Sequence, residues 1–161
     1  MRSPVLALAL LGSALGAAER HPWAGFLPGS YARWKTVTRG GENVSTAEVK
    51  QTVVMVGLNY AVLETETTLN GRLARTRTQI PLRGEPAPLP SGKIVTLAKE
   101  TVIIESKAVS ALCYESVSEA RRGRASEKSC LSGEVPGGVV RSFVRLEGVE
   151  SSTELIEFGV R

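Results

Sequence analysis

The chain has 161 residues and a formal net charge of +4, with 42% hydrophobic and 22% charged residues. That length suits one domain with a sizeable core, and a mild, scattered positive charge gives no nucleic-acid footprint. All 16 acids are Glu and His21 is the one histidine, which leaves little material for zinc centres or for Ser-His-Asp chemistry.

At the N-terminus Arg2 precedes an apolar run from Val5 to Leu15, and Gly16 and Ala18 stand at the minus-three and minus-one places before Glu19. This is the layout of a secretory signal peptide. The run is shorter than the roughly 20 residues a membrane helix needs, and no cysteine at the cleavage point offers a lipid anchor. The reading predicts a signal peptide over residues 1–18 and a single β-rich domain over 19–161. The product would be exported, periplasmic or extracellular, and not transmembrane. Cleavage would remove Arg2 and lower the net charge from +4 to +3.

Beyond it the chain reads as strands. "SYARWKTVTR" alternates, with Ala32, Trp34, Thr36 and Thr38 on one face, and "STAEVKQTVVMV" is rich in β-branched residues. Gly57-Leu58-Asn59 breaks the run before "YAVLETETTL". Asn70-Gly71 then marks a type I′ hairpin, whose two central residues need positive φ. Centring the turn there predicts Glu66 opposite Arg75 and Glu64 opposite Arg77 on an exposed face. Leu63, Thr65 and Thr67 would share the other face with Ala74, Thr76 and Thr78. Pro81 to Gly92 carries four of the eight prolines and reads as an extended connector or lid. "KIVTLAKE" is open to a short helix. "ETVIIE" and "AVSALCYESVSE" flank a turn near Ser106-Lys107, and Gly123 marks the next turn. "SEKSCLS", "VVRSFVRLE" and "STELIEFGV" complete the series, the last two around Gly148. The sum is a mainly β fold with little helix: one curved, largely antiparallel sheet or half-barrel of about nine or ten strands.

Few residues invite chemistry. Cys113 and Cys130 lie at about equal distances from the turn at Arg121-Arg122-Gly123, so a hairpin sets them across adjacent strands. In an exported chain two such cysteines pair as a disulfide; two buried thiols are the alternative. No metal site, calcium loop, cofactor or catalytic residue is expected, and the protein is read as not an enzyme. Arg121, Arg122, Arg124 and Lys128 read as a solvated hairpin tip or as an anion contact. Trp23, Phe26, Tyr31 and Trp34 read as core or as a ligand platform. In "SGEVPGGVVRSF", Pro136 and Gly137 occupy the second and third places of a type II turn. Val135 to Gly138 therefore turns a corner, with Gly138 easing entry into the next strand. The competing reading makes Trp23, Trp34, Pro136, Gly137 and Gly138 the border of a ligand site.

The stretches "HPWAGFLPGSYARWKT", Cys113 and "SGEVPGGVVRS…STELIEF" resemble small exported bacterial proteins of unknown function that carry a W-S-x-E-V-P-G-G-V-V-K run. Here Cys130-Leu131 stands near the usual Trp and Arg141 where Lys is common. More distantly the chain resembles the curved sheets of periplasmic lipoprotein carriers (LolA-like half-barrels). That resemblance implies a lipid or lipoprotein acyl chain held on a concave apolar face, although a fold does not carry its function with it. Two functions follow as expectations. One is a non-catalytic binding module for a lipid or other apolar ligand. The other is a structural or protein-interaction module of the cell envelope with a filled core. An apolar cavity of roughly 300 Å3 or more would separate them.

Overall fold

The computed structural model describes residues 21–83, 92–120 and 123–161. The expected signal peptide, the prolines of the connector after Pro81, and Arg121 and Arg122 lie outside the described residues. The strands are β1 Tyr31–Gly40, β2 Asn43–Val56, β3 Tyr60–Leu69, β4 Arg72–Pro81, β5 Lys93–Ile104, β6 Lys107–Ala120, β7 Gly123–Leu131, β8 Val139–Leu146 and β9 Val149–Gly159. They form one open antiparallel sheet in the order β4-β3-β2-β1-β9-β8-β7-β6-β5. The described residues contain no α-helix. "KIVTLAKE", left open to a helix, is strand: register with β6 supplies its hydrogen bonds, pairing Leu97 with Tyr114 and Lys99 with Leu112.

Two meanders, β1 to β4 and β5 to β9, are sewn together by β1 and β9, the first and last strands. Turn chemistry sets the hairpins within each meander. Asn70 and Gly71 have φ of 50° and 76°, the type I′ values expected, and Glu66 faces Arg75 and Glu64 faces Arg77. Glu147-Gly148 repeats the device between β8 and β9, with φ of 52° and 79°. The β5–β6 turn falls at Glu105-Ser106, one residue earlier than expected, because Glu105 takes the left-handed conformation.

The face of β1 that carries Ala32 and Trp34 is the inner face of the sheet. At one end of it lies the core: Trp23, Phe26, Ala32, Trp34, Val53, Leu63, Val102, Ile104, Val109, Val140, Leu155 and Phe158 among others. That cluster joins β1–β3 to the far hairpin β5–β6, so the sheet curls around it. Lys107 holds the curl, donating from Nζ to the Phe158 carbonyl at 2.8 Å with the ammonium 4.6 Å from the Phe158 ring centroid. On β6 Val109, Ala111 and Cys113 enter this core, while Tyr114 and Ser116, of the opposite parity, lie on the face that strand pairing carries across from Thr36, where Ser116 is buried. In the β7–β8 ladder a register shift between Cys130 and Leu131 leaves Val140 of β8 as the extra residue, and such bulges twist a strand and re-aim its side chains.

The outer face is zipped by charge. Arg75, Glu66 and Lys50 alternate in sign across β4, β3 and β2, and Arg33 on β1, which faces Lys50, is compensated by Glu48 and by Glu157 at 3.7 Å. Ion pairs join Arg75 to Glu66 at 2.6 Å, Arg77 to Glu64 at 2.8 Å and Arg145 to Glu150. Each exposed pair contributes little energy, but together they penalise a slip in register.

Candidate functional site

The five residues expected either to turn a corner or to border a ligand do meet. Gly137 has φ of 80°, and Gly138 N–H donates to the Val135 carbonyl at 2.9 Å, so Val135 to Gly138 is the type II turn expected. Gly138 also departs from the expectation that it only eases strand entry. Its φ is 76°, because the chain must turn a second time for Ser132 N–H to reach the Gly138 carbonyl at 2.8 Å. A Cβ on Gly137 would lie 3.0 Å from both the Trp23 and Trp34 rings. Trp34 Nε1 donates to the Val139 carbonyl at 2.8 Å, and Pro136 is fully buried. The turn, the lead-in segment and Trp34 thus fill one another's space. Here the protein's own aromatics occupy the end of the inner face where an apolar ligand would lie.

Further along the same strands the inner face changes character. Thr36 on β1 faces Thr153 on β9, Thr153 faces Ser142 on β8, Ser142 faces Ser129 on β7, and Ser129 faces Tyr114 on β6. Five hydroxyls form one transverse row. Thr36 and Thr153 lie 2.9 Å apart at their hydroxyls, and Ser129 and Ser142 lie 3.1 Å apart. The next row carries Thr38, Ser151, Val144, Glu127 and Ser116, with Thr38 and Ser151 at 3.3 Å. The rows meet at Glu127, whose Oε1 accepts from Tyr114 at 2.8 Å and from Ser129 at 3.0 Å. The Ser129 hydroxyl, with its single proton, is within donating reach of both the Glu127 carboxylate and the Ser142 hydroxyl. Burial and the Glu127 hydrogen bond raise the Tyr114 phenol above its ordinary range. Beside Glu127 a pocket of about 60 Å3 is lined by Ser116, Ser118, Ala125, Ser126, Glu127 and Val144.

Reading the residues alone placed Thr36 and Thr38 on one face with Ala32 and Trp34 and missed the rest of these rows. Their members are far apart in the chain, and only the β1–β9 register aligns them. The available signal was Ser and Thr standing two apart on β6, at Ser116 and Ser118, and on β9, at Ser151 and Thr153.

Cys113 and Cys130 are bonded, directly opposite on β6 and β7. The Glu100 carboxylate lies within 4.8 Å of both sulfurs, but a disulfide offers no thiolate to a metal. The bond fits an oxidising compartment. No helix among the described residues is long and apolar enough to cross a membrane. His21 Nδ1 accepts from the Trp23 backbone at 3.3 Å, and burial lowers the His21 pKa. Comparison with known proteins finds no matching family model, no matching curated protein and no matching solved structure.

Proposed function

We propose that this is a non-catalytic, exported binding module whose ligand lies on the inner face of the open sheet. The observation that supports this reading is the double row of hydroxyls beyond the aromatic core. An inner face whose only task was to be packed would bury apolar groups there, since each buried hydroxyl gains only when hydrogen-bonded. The polar lining turns the proposal away from an acyl chain and toward a polar ligand. Export is supported by the N-terminal pattern together with the disulfide. Protein secreted under its own leader is to be isolated and examined by native mass spectrometry, with Ser142→Trp as the variant that fills the groove. A polar adduct absent from Ser142→Trp is the expected result. An acyl adduct, or an adduct retained unchanged by that variant, would overturn the polar inner-face reading.

The alternative, a protein-interaction module, draws on a different observation. Leu58 at the β2–β3 turn is 89% exposed, and Leu27, Met55 and Val56 are exposed as well, near the end of the sheet where Gly29 N–H bonds the Val53 carbonyl at 2.8 Å. Clustered exposed apolar groups mark contact surfaces. Light scattering at rising concentration tests it: self-association abolished by Leu58→Asp would favour this reading.

A further inference from the structure

Glu127 stands apart from the acids of the outer face. Glu48, Glu64, Glu66, Glu150, Glu154 and Glu157 each form an ion pair with an Arg. Glu127 makes no ion pair among the described residues. It is held instead by two hydroxyl donors on one oxygen, Oε1. Those donors fix the carboxylate while its second oxygen keeps its acceptor capacity. The pocket beside it is lined by Ser116, Ser118, Ala125 and Val144, with Ser126 at its border; Ser116, Ser118 and Ala125 share the parity of Glu127 on their strands, and Ser126 does not. Ser116 is 1% exposed, so it is a fixed part of the wall.

These groups define a complement. The carboxylate only accepts and the serine hydroxyls can accept, so the matching head group is all donor and positively charged. A primary ammonium has three N–H donors and no acceptor, and its alkyl stem would lie against Ala125 and Val144. An anionic ligand would meet the Glu127 charge. An acyl chain would strip water from that carboxylate without replacing it. The volume of about 60 Å3 suits a small head group rather than a ring system.

We propose that the Glu127 pocket binds a primary ammonium group on an alkyl stem. This deepens the inner-face binding reading and rests on it. The group has two possible sources, a free polyamine or a lysine side chain of a partner polypeptide.

The test uses disulfide-bonded mature protein in sodium phosphate, free of amine buffers. Backbone amide spectra are followed while n-butylammonium chloride is added, with n-butanol as the uncharged control. Saturable shifts at Ser116, Ser118, Ser126 and Glu127 with the ammonium alone are expected, together with at least a tenfold weakening in Glu127→Gln. Equal response to n-butanol, no saturation, or undiminished binding by Glu127→Gln would overturn the proposal. Val144→Ala serves as a second variant that keeps the carboxylate; it is expected to weaken n-butylammonium while leaving methylammonium unchanged, and the reverse order would count against the stem contact. Spermidine and a capped Gly-Lys-Gly peptide then identify the source by which binds more tightly, and failure of both to bind would also overturn it. A polar ligand that shifts Thr36, Ser142 and Thr153 but leaves Glu127 untouched would remove this proposal and leave the inner-face reading standing.

Discussion

Gly137 and Gly138 show how a single backbone position can decide whether the core closes. Both have positive φ, a region in which a Cβ is strained. Gly137 in addition has no room, with two Trp rings 3.0 Å from where a Cβ would stand. Gly137→Val is expected to lower unfolding stability by about 2 kcal/mol or more, strain and overpacking acting together. Gly138→Ala, with its nearest side-chain neighbour Pro22 at 3.3 Å, is expected to cost about 1–2 kcal/mol. Urea unfolding of the two variants measures both values, and equal stability for Gly137→Val would refute the packed corner. Tyr31 offers a pH test. Its hydroxyl donates to Glu157 at 2.6 Å. That bond is the main cause holding the Glu157 carboxyl below its ordinary pKa, and it raises the Tyr31 phenol. A carboxyl depressed in the folded state stabilises above its unfolded pKa, and the contribution disappears as pH falls through the folded value. The stability gap between wild type and Tyr31→Phe is therefore expected near neutrality and should close on acidification below the ordinary Glu range. A gap independent of pH would refute the bond's role.

At the scale of elements, adjacent hairpins were legible because their determinants are local. Asn-Gly fixes a turn, the turn fixes a register, and the register pairs charges that stand at mirrored distances from it. The Glu66–Arg75 pair, with the Arg side chain 64% exposed, is expected to give a coupling of about 0.2–1 kcal/mol in a double-mutant cycle, falling as salt is added. The disulfide joins β6 to β7 over a sequence separation of 17. Its reduction is expected to cost roughly 3 kcal/mol by the loop-entropy argument, read as a lower urea midpoint with reductant present. An unchanged midpoint would refute that contribution. β5 was less legible: Lys, Ala and Leu in "KIVTLAKE" are good helix formers, and the long antiparallel ladder with β6 outweighs that preference.

At the scale of the molecule the decisive pairing is β1 with β9. Tyr31 faces Gly159 and Gly40 faces Val149, so the two ends of the described chain form the centre of the sheet, and β4 and β5 become its edges. Central strands open only with the whole fold, whereas edges open locally. Amide exchange is therefore expected to be slowest in β1 and β9 and fastest in β4, where every residue but Ile80 is exposed. Slow exchange throughout β4 would contradict the open sheet. Contacts of such long sequence separation also point to folding on the millisecond-to-second scale.

The sequence by itself determined the strand class, the hairpins at Asn70-Gly71 and Gly148, the Cys113–Cys130 pairing and the corner at Pro136-Gly137. Each of these depends on residues close enough in the chain for turn geometry to relate them. Alternation also showed that Ala32, Trp34, Thr36 and Thr38 share a face, since side chains in a strand repeat every second residue. What alternation cannot supply is the neighbour of that face. Only the tertiary structure decided that β9 lies beside β1, that Thr36 therefore begins a row ending at Tyr114, and that Glu127 joins hydroxyls on the inner face while the other paired acids zip the outer one. The reason is that a strand presents the same hydrogen-bonding edge to any partner, so the choice among distant strands falls to the burial of Trp34, Leu155 and Phe158 in a common core, a property of the assembled sheet.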